Sequence, residues 1–283
     1  MSAWRGKLRR DPNAWIGVAL LALLLGGALF ADVLVPEGPL SGSLHDRLVP
    51  PSWAHPFGTD TQGRDILART LHGARISLAI GLGARGLAVL LGGLLGFLAG
   101  VVGGRVDAVI MRAADVFFAF PSLLLLIGIT AAFEPGLAIT FLALGIVGWA
   151  EVARLVRAEA MRVNRLEYVS AARALGAGGL RVVFRHVAPN CLNPLIVSFT
   201  MGVATTILAE ASLSFLGLGA QPPTPSWGAM VSAGKDHLRA APWMSLFPGL
   251  FLAGAVLSLN LLGDAVRDAL DPRTVGTRRR RRS

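Results

Sequence analysis

The chain has 283 residues, 53% of them in the apolar set AVILMFWYC with a further 34 glycines, and only 16% are charged. Soluble domains carry about 25% charged residues, so this composition excludes a disordered chain, a coiled coil, most soluble enzymes and, with Cys191 the one cysteine, a disulfide scaffold. A net charge of +10 alone would point to nucleic acid; joined to this apolar content it points to a polytopic membrane protein with its basic residues on one side, and nucleic acid is not needed.

Residues 1–13 form a basic arm with Arg5, Lys7, Arg9 and Arg10. A helix needs about 20 apolar residues to cross the hydrocarbon core, and 14–35 supplies the first, too long and too far from a small-residue cleavage site for a signal peptide. An external loop, 36–75, leads to a core over 76–263. The core holds spans at 76–102, 116–133, 136–150, 195–218 and 243–263, a cytoplasmic loop at 151–194 and an external loop at 219–242. Glu134-Pro135-Gly136 reads as the turn between the third and fourth spans, the fourth being the shortest. Residues 264–283 form a basic tail. The predicted architecture is all-α with six transmembrane helices.

Six spans with the N-terminus inside put 20 of the 27 basic residues on the cytoplasmic face, so both termini are expected there. Omitting the short fourth span would place either the 151–194 loop or the N-terminal arm on the wrong side. Trp15, Trp149 and Trp243 fall at proposed span ends, where interfacial tryptophans collect. The run Arg278–Arg282 reads either as a contact for anionic lipid headgroups or as a solvated tail that reinforces topology.

Gly81-Leu82-Gly83-Ala84-Arg85-Gly86 has the spacing of a dinucleotide fingerprint, but it lies inside a span, with no strand before it. No phosphate-binding loop is present. Gly92, Gly96, Gly100 and Gly104 recur every four residues, a spacing that lets two helix backbones approach closely and so marks a seam for another span or subunit. Arg85, Glu210 and Asn260 are the candidate polar residues within spans; a charge there is costly and is a functional candidate by default. Arg85 and Glu210 either pair or meet water independently.

The 151–194 loop is long for a connection between spans. Val152, Leu155, Val156 and Val163 share one face over 151–165, so the fourth span is expected to continue into the cytosol as an amphipathic helix. Tyr168 to Leu175 forms a short helix stopped by Gly176 and Gly178-Gly179, and a second short helix over about 180–187 ends before Pro189. Asn193 is then expected to cap the fifth span, with Pro194 at its first position. Two short helices at an angle make a knob, which either fits a groove on a partner or is a plain surface hairpin.

Ser170 to Pro189 resembles the cytoplasmic signature of ATP-binding-cassette importer permeases, Glu-Ala-Ala-x3-Gly-x9-Ile-x-Leu-Pro. Ala171, Ala172, Gly176 and Pro189 match; Ser170, His186 and Ala188 depart from it, and Glu167 lies one turn before the missing glutamate. His55-Pro56-Phe57-Gly58-Thr59-Asp60, Gly63-Arg64-Asp65, Glu210 to Gly219, Gln221 to Gly228 and Gly263 to Arg273 are similar to the dipeptide/oligopeptide (nickel) permease "C" subunits.

The resemblance implies a type I importer bundle whose coupling loop, with Glu167, Ser170, Ala171, Ala172, Gly176, His186 and Pro189, sits on an ATPase. It implies a heterodimer with a second permease subunit, two cytoplasmic ATPases that use ATP and Mg, an external solute-binding protein, and a place in a bacterial or archaeal cytoplasmic membrane. The chain itself would bind no cofactor. Dipeptides, longer peptides, glutathione, nickel chelates and opine-like solutes all use permeases of this kind, with peptide the first expectation.

Asp60, Arg64 and Asp65 in the first external loop read as a charge network that fixes the loop, with substrate contact as the alternative. Trp227 and the prolines of 219–242 read as a stiff surface for the binding protein or as a turn that shapes the outer vestibule. The five histidines lack metal-ligand spacing and no nucleophile–base pair stands out, so no enzymatic activity is expected. A stand-alone secondary transporter would have only Arg85, Glu210 and Asn260 for ion coupling, and a membrane scaffold would not need the knob.

Overall fold

The computed structural model describes residues 11–270; the basic residues of the arm and the Arg278–Arg282 run lie outside the described residues. Regular structure among the described residues is helical, apart from two isolated bridges, Gly42 with Arg64 and Thr59 with Asp65.

Helix α1, Pro12–Leu29, is started by the Asp11 carboxylate, which accepts from the Asn13 N–H at 3.0 Å, with a proline in its first turn. A further turn, Ala31–Leu34, follows it. Helix α2, Ile66–Val102, has 37 residues. At 1.5 Å per residue it is about 55 Å long, well beyond the ~30 Å hydrocarbon core. It begins ahead of the expected 76 because Asp65 caps it, accepting from the Ala68 N–H at 2.9 Å.

The expected straight span at 116–133 is replaced by two helices. Helix α3, Gly104–Phe118, and α4, Ser122–Ala132, meet at 88°. Pro121 lacks an N–H and disfavours helical backbone at Phe120, which breaks the run. The 11 residues of α4 rise only about 16 Å, so five helices are long enough to cross a membrane, or six if the bent pair counts as one span.

Helix α5, Leu137–Asn164, is continuous, so the short fourth span and the amphipathic 151–165 stretch are one 28-residue helix. Helix α6, Glu167–Ala174, begins the knob. A single turn, Gly179–Val182, and a wide π turn, Val183–Val187, lead without a break into α7, Ala188–Phe215. The second knob helix therefore does not stop before Pro189, Asn193 is not a cap, and Pro194 lies inside α7. The Ala188 N–H reaches back to the Val183 carbonyl, and this widened turn takes up the N–H that Pro189 lacks. Helix α8, Trp227–Gly234, and α9, Trp243–Leu270, complete the chain.

The glycine seam joins two helices of the same chain. Gly92 lies against Trp149 and Val152, Gly96 against Ala153 and Gly100 against Ala160. Farther back, Leu87 meets Gly145 and Gly83 meets Phe141. Both numbers rise together, so α2 and α5 run parallel. A β-carbon on Gly100 would come within 2.7 Å of the Ala160 methyl carbon and 2.8 Å of the Arg157 carbonyl. Gly104 is not in the seam: it faces open space and, with Gly103 at φ +68°, makes the turn into α3. Trp149, at the proposed end of the fourth span, faces the interior of the bundle. It is buried midway along α5, edge-on to Phe117 with ring centroids 5.7 Å apart.

Helix α7 runs antiparallel to α2, with Ile207 over Gly81 and Leu195 at Gly93. Helix α9 packs on α7 where Met201 meets Gly263, and α1 lies antiparallel to α9, with Gly17 beside Ser258 and Leu261 and Gly254 beside Leu20 and Leu24. The bundle thus carries the knob at one end and the segments 36–65 and 219–242 at the other.

Candidate functional site

The underside of the knob is fixed by a buried valine cluster. Val152, Val156 and Val163 of α5 pack with Val169, Val182, Val187 and Cys191. β-Branched residues have few rotamers to lose, and this shared packing joins the knob to α5 and α7. Its outer face is different: Leu175, Leu180 and Phe184 are 89%, 76% and 69% exposed, beside exposed Arg173, Arg181 and Arg185. Gly176 turns the chain between the two halves at φ +87°, a conformation that costs an L side chain about 1–2 kcal/mol.

Glu167, Ser170, Ala171 and Pro189 are exposed, and Ala172 and His186 half-buried. The Asn190 amide donates to the His186 carbonyl at 2.6 Å and to the Tyr168 hydroxyl at 3.3 Å, and the His186 ring lies edge-on to Tyr168. His186 is therefore a packing residue of the knob.

The structure does not bring Arg85 and Glu210 together as a pair. The Arg85 guanidinium donates to the Ser198 carbonyl at 2.8 and 3.2 Å and to the Ser198 hydroxyl at 2.7 Å. Its ionic partner is Glu151, at 3.7 Å. Gly202 leaves the space for the guanidinium, which a β-carbon there would strike. Sequence reasoning missed Glu151 because 151 falls just past the proposed end of a span; α5 continues past that point. Glu210 is fully buried and accepts from the Ser214 hydroxyl at 2.7 Å. Asn260 is exposed on α9.

Where α3 meets α5, Arg157 makes a two-pronged pair with Asp107, Arg154 pairs with Asp115, and the Arg154 guanidinium lies 3.9 Å over the Phe118 ring. Two acids in the short 103–115 stretch opposite a loop rich in arginine were the signal for this contact.

At the opposite end, Asp60 accepts from the backbone N–H of Gln62 and of Arg64 and pairs with the Arg64 guanidinium at 2.7 Å; Arg69 follows at 3.6 Å. The other carboxylate oxygen of the α2 cap, Asp65, contacts His55 at 3.0 Å. All three acids and bases named for this loop are thus tied to one another or to backbone. Trp243 also holds it, donating its indole N–H to the Thr59 carbonyl at 3.1 Å. Trp227 does not present a surface: it is fully buried among α1, α2, α7 and α9 residues and donates its indole N–H to the Thr70 carbonyl at 3.0 Å. Pro222 and Pro223 are exposed, as are Gln221, Leu238 and Arg239 of that segment.

The described residues form a bundle of membrane-spanning helices with a continuous helix-to-knob connection, the architecture of a polytopic membrane subunit. Residues 92–276 match the family of binding-protein-dependent transport system inner membrane components, and residues 1–51 the N-terminal transmembrane domain of oligopeptide transport permease C. The chain belongs to the binding-protein-dependent transport system inner membrane component family.

Similar proteins include a putative peptide transport system permease from Brucella abortus, 43% identical, covering 94% of this chain and 90% of that one. A di/tripeptide transport system permease from Pseudomonas aeruginosa is 44% identical over 93% and 89%. A glutathione transport system permease from Pectobacterium atrosepticum is 42% identical over 95% and 90%. Among solved structures, the inward-facing MetNI methionine ABC transporter aligns with a TM-score of 0.59 at 17% identity, over 72% of this chain and 96% of that one, a likeness of fold.

Proposed function

We propose that this chain forms half of the translocation pathway of an ATP-driven peptide importer. It pairs with a second, homologous permease, and the knob over 167–189 seats on one of two cytoplasmic ATPases. The observation that carries this reading is the two-sided knob: valines lock its underside to α5 and α7, while Leu175, Leu180 and Phe184 stand exposed, uncovered by any of the described residues. An apolar tip rimmed by arginines is costly in water and suits a groove with an acidic edge. Movement of the ATPase would pass along the rigid knob to both helices. Hydrolysis, with its ATP and Mg, belongs to the ATPases.

The basic arm, the knob and the tail then face the cytoplasm, in a bacterial or archaeal inner membrane, and segments 36–65 and 219–242 face the external binding protein. The Asp60–Arg64 network serves to hold its loop. Peptide is the first substrate, from the peptide and di/tripeptide permeases among the similar proteins. Glutathione, itself a tripeptide, is the second reading, from the 42% identical glutathione permease.

The test is co-purification of the chain with its neighbouring permease and ATPases, followed by ATPase assay with the binding protein and either dipeptide or glutathione. Wild-type chain should recruit the ATPases, and Gly176→Pro should assemble in the membrane yet lose most of the stimulated hydrolysis. Failure of the wild-type chain to recruit any ATPase would sink the reading. Stimulation by glutathione alone would select the second substrate.

A further inference from the structure

Glu210 is a carboxylate with no exposed surface, set in the last turns of α7. One oxygen accepts from Ser214; the other, Oε2, has no partner in hydrogen-bonding geometry. The hydroxyls of Ser77, on α2, and Ser226, the cap of α8, face the same carboxyl group. Each of these three serines already accepts a backbone N–H. Ser214 takes that of Ala220 at 3.1 Å, Ser77 that of Trp227 at 3.3 Å, and Ser226 that of Ala229 at 3.3 Å. All three amides belong to the 219–242 segment.

A serine hydroxyl has one proton to give and lone pairs to receive with. A serine whose oxygen is engaged by an N–H still holds a donor, and buried donors demand an acceptor. Here three such donors face one carboxyl group, whose oxygens can accept from them. Close packing leaves no slack around them: a β-carbon on Gly228 would run into the Ala211 backbone, and one on Gly219 into Ser214.

We propose that Glu210 is the positioning residue of the 219–242 segment: through Ser214, Ser77 and Ser226 it holds the amides of Ala220, Trp227 and Ala229, and so sets the shape of the surface offered to the binding protein. The last clause rests on the importer reading; the clamp itself does not. Helices α2 and α7 contribute to the same cluster, so a displacement of this segment is felt by both.

The test is amide hydrogen exchange on the full-length chain in nanodiscs, without partners. In Glu210→Gln a side-chain NH2 replaces one acceptor oxygen, leaving hydroxyl protons without a partner. Exchange at Ala220, Trp227 and Ala229 should rise by about tenfold, the loss expected for a buried hydrogen bond, while the α2–α5 seam stays protected.

Single variants give a finer pattern that does not depend on Glu210→Gln folding. Ser214→Ala should release Ala220, Ser77→Ala should release Trp227, and Ser226→Ala should release Ala229, each mainly its own amide. Wild-type protection throughout the segment in Glu210→Gln, or a uniform response to all three serine variants, would overturn the clamp. A second arm adds the partner subunits and binding protein. Where exchange has risen, the concentration of binding protein that half-saturates ATPase stimulation should rise several-fold. An unchanged value in such a variant would overturn the docking clause and leave the clamp standing.

Discussion

Arg85 shows how a residue chosen for its cost in a membrane finds its partner in the backbone. Three of its contacts go to Ser198, and only one, longer, goes to Glu151, whose side chain is 71% exposed. An exposed ion pair is typically worth under about 1 kcal/mol, whereas hydrogen bonds made by a charged group are worth about 1.5–3 kcal/mol. Thermal melts of the purified chain should therefore show a larger loss for Arg85→Ala than for Glu151→Ala. Arg85 and Glu210 share no hydrogen-bond partner, so their alanine variants should add within about 0.5 kcal/mol in a double-mutant cycle. A coupling well above that would restore the direct pair. Gly176 is a second residue-scale case. Nothing lies within 4 Å of a β-carbon placed there, so the strain of Gly176→Ala is in the backbone at φ +87° alone. A loss of coupled ATPase activity with little change in melting temperature is the expected outcome in the assembled importer.

At the scale of elements, the seam between α2 and α5 decides the architecture. Gly92, Gly96 and Gly100 bring two parallel backbones into contact, and forcing extra carbons into such a packed site typically costs 1–3 kcal/mol. Gly96→Val should therefore lower the melting temperature sharply, while Gly104→Ala, outside the seam, should act only through its own φ of +55°. Equal losses at the two positions would mean the seam is not tight. The glycine repeat was legible in the sequence because a four-residue period survives without knowledge of the partner. Where the repeat ended was not: Gly104 keeps the period but follows the helix end at Val102. Proline misled in the same way. Pro121 does break its helix, whereas Pro189 and Pro194 do not, since the wide turn at 183–187 and the interior of α7 absorb them. A proline's effect depends on whether neighbouring backbone can rearrange, which local sequence does not state.

For the whole molecule, hydropathy and charge gave the all-helical bundle, because both depend on long runs, while the knob was legible from the glycine stops at 176, 178 and 179. The loops were less legible. Trp227 and Trp243 lie in segments rich in proline and polar residues, yet one is buried in the core and the other pins residues 36–65 to the start of α9. Their contacts reach across more than 150 positions, to Thr70 and Thr59, and no local pattern encodes such a reach.

The attachment of α1 is another long-range contact of this kind, and it carries a pH dependence. Beyond the end of α1, exposed Asp32 accepts from Arg75 at 2.8 Å and contacts His72 at 2.9 Å, while Arg75 also donates to the Ala28 and Leu29 carbonyls that end the helix. Those carbonyls carry partial negative charge, which a guanidinium stabilises. The Arg75 hydrogen bond first, then that of His72, holds the Asp32 carboxyl below its ordinary value of 3.8. A carboxyl lowered in the folded state stabilises it above the unfolded value and loses that contribution as pH falls through the folded one. Asp32→Asn should thus melt earlier than wild type at neutral pH, and the gap should close as pH drops below 3.8, since protonation of the wild type then removes the same charge. Because Arg75 keeps its two carbonyl contacts in the variant, the gap should be smaller than that of Arg75→Ala, which loses the carboxylate and both ends of the helix clamp at once. A gap for Asp32→Asn that persists unchanged into acid would show that the carboxylate charge is not what holds α1 to α2.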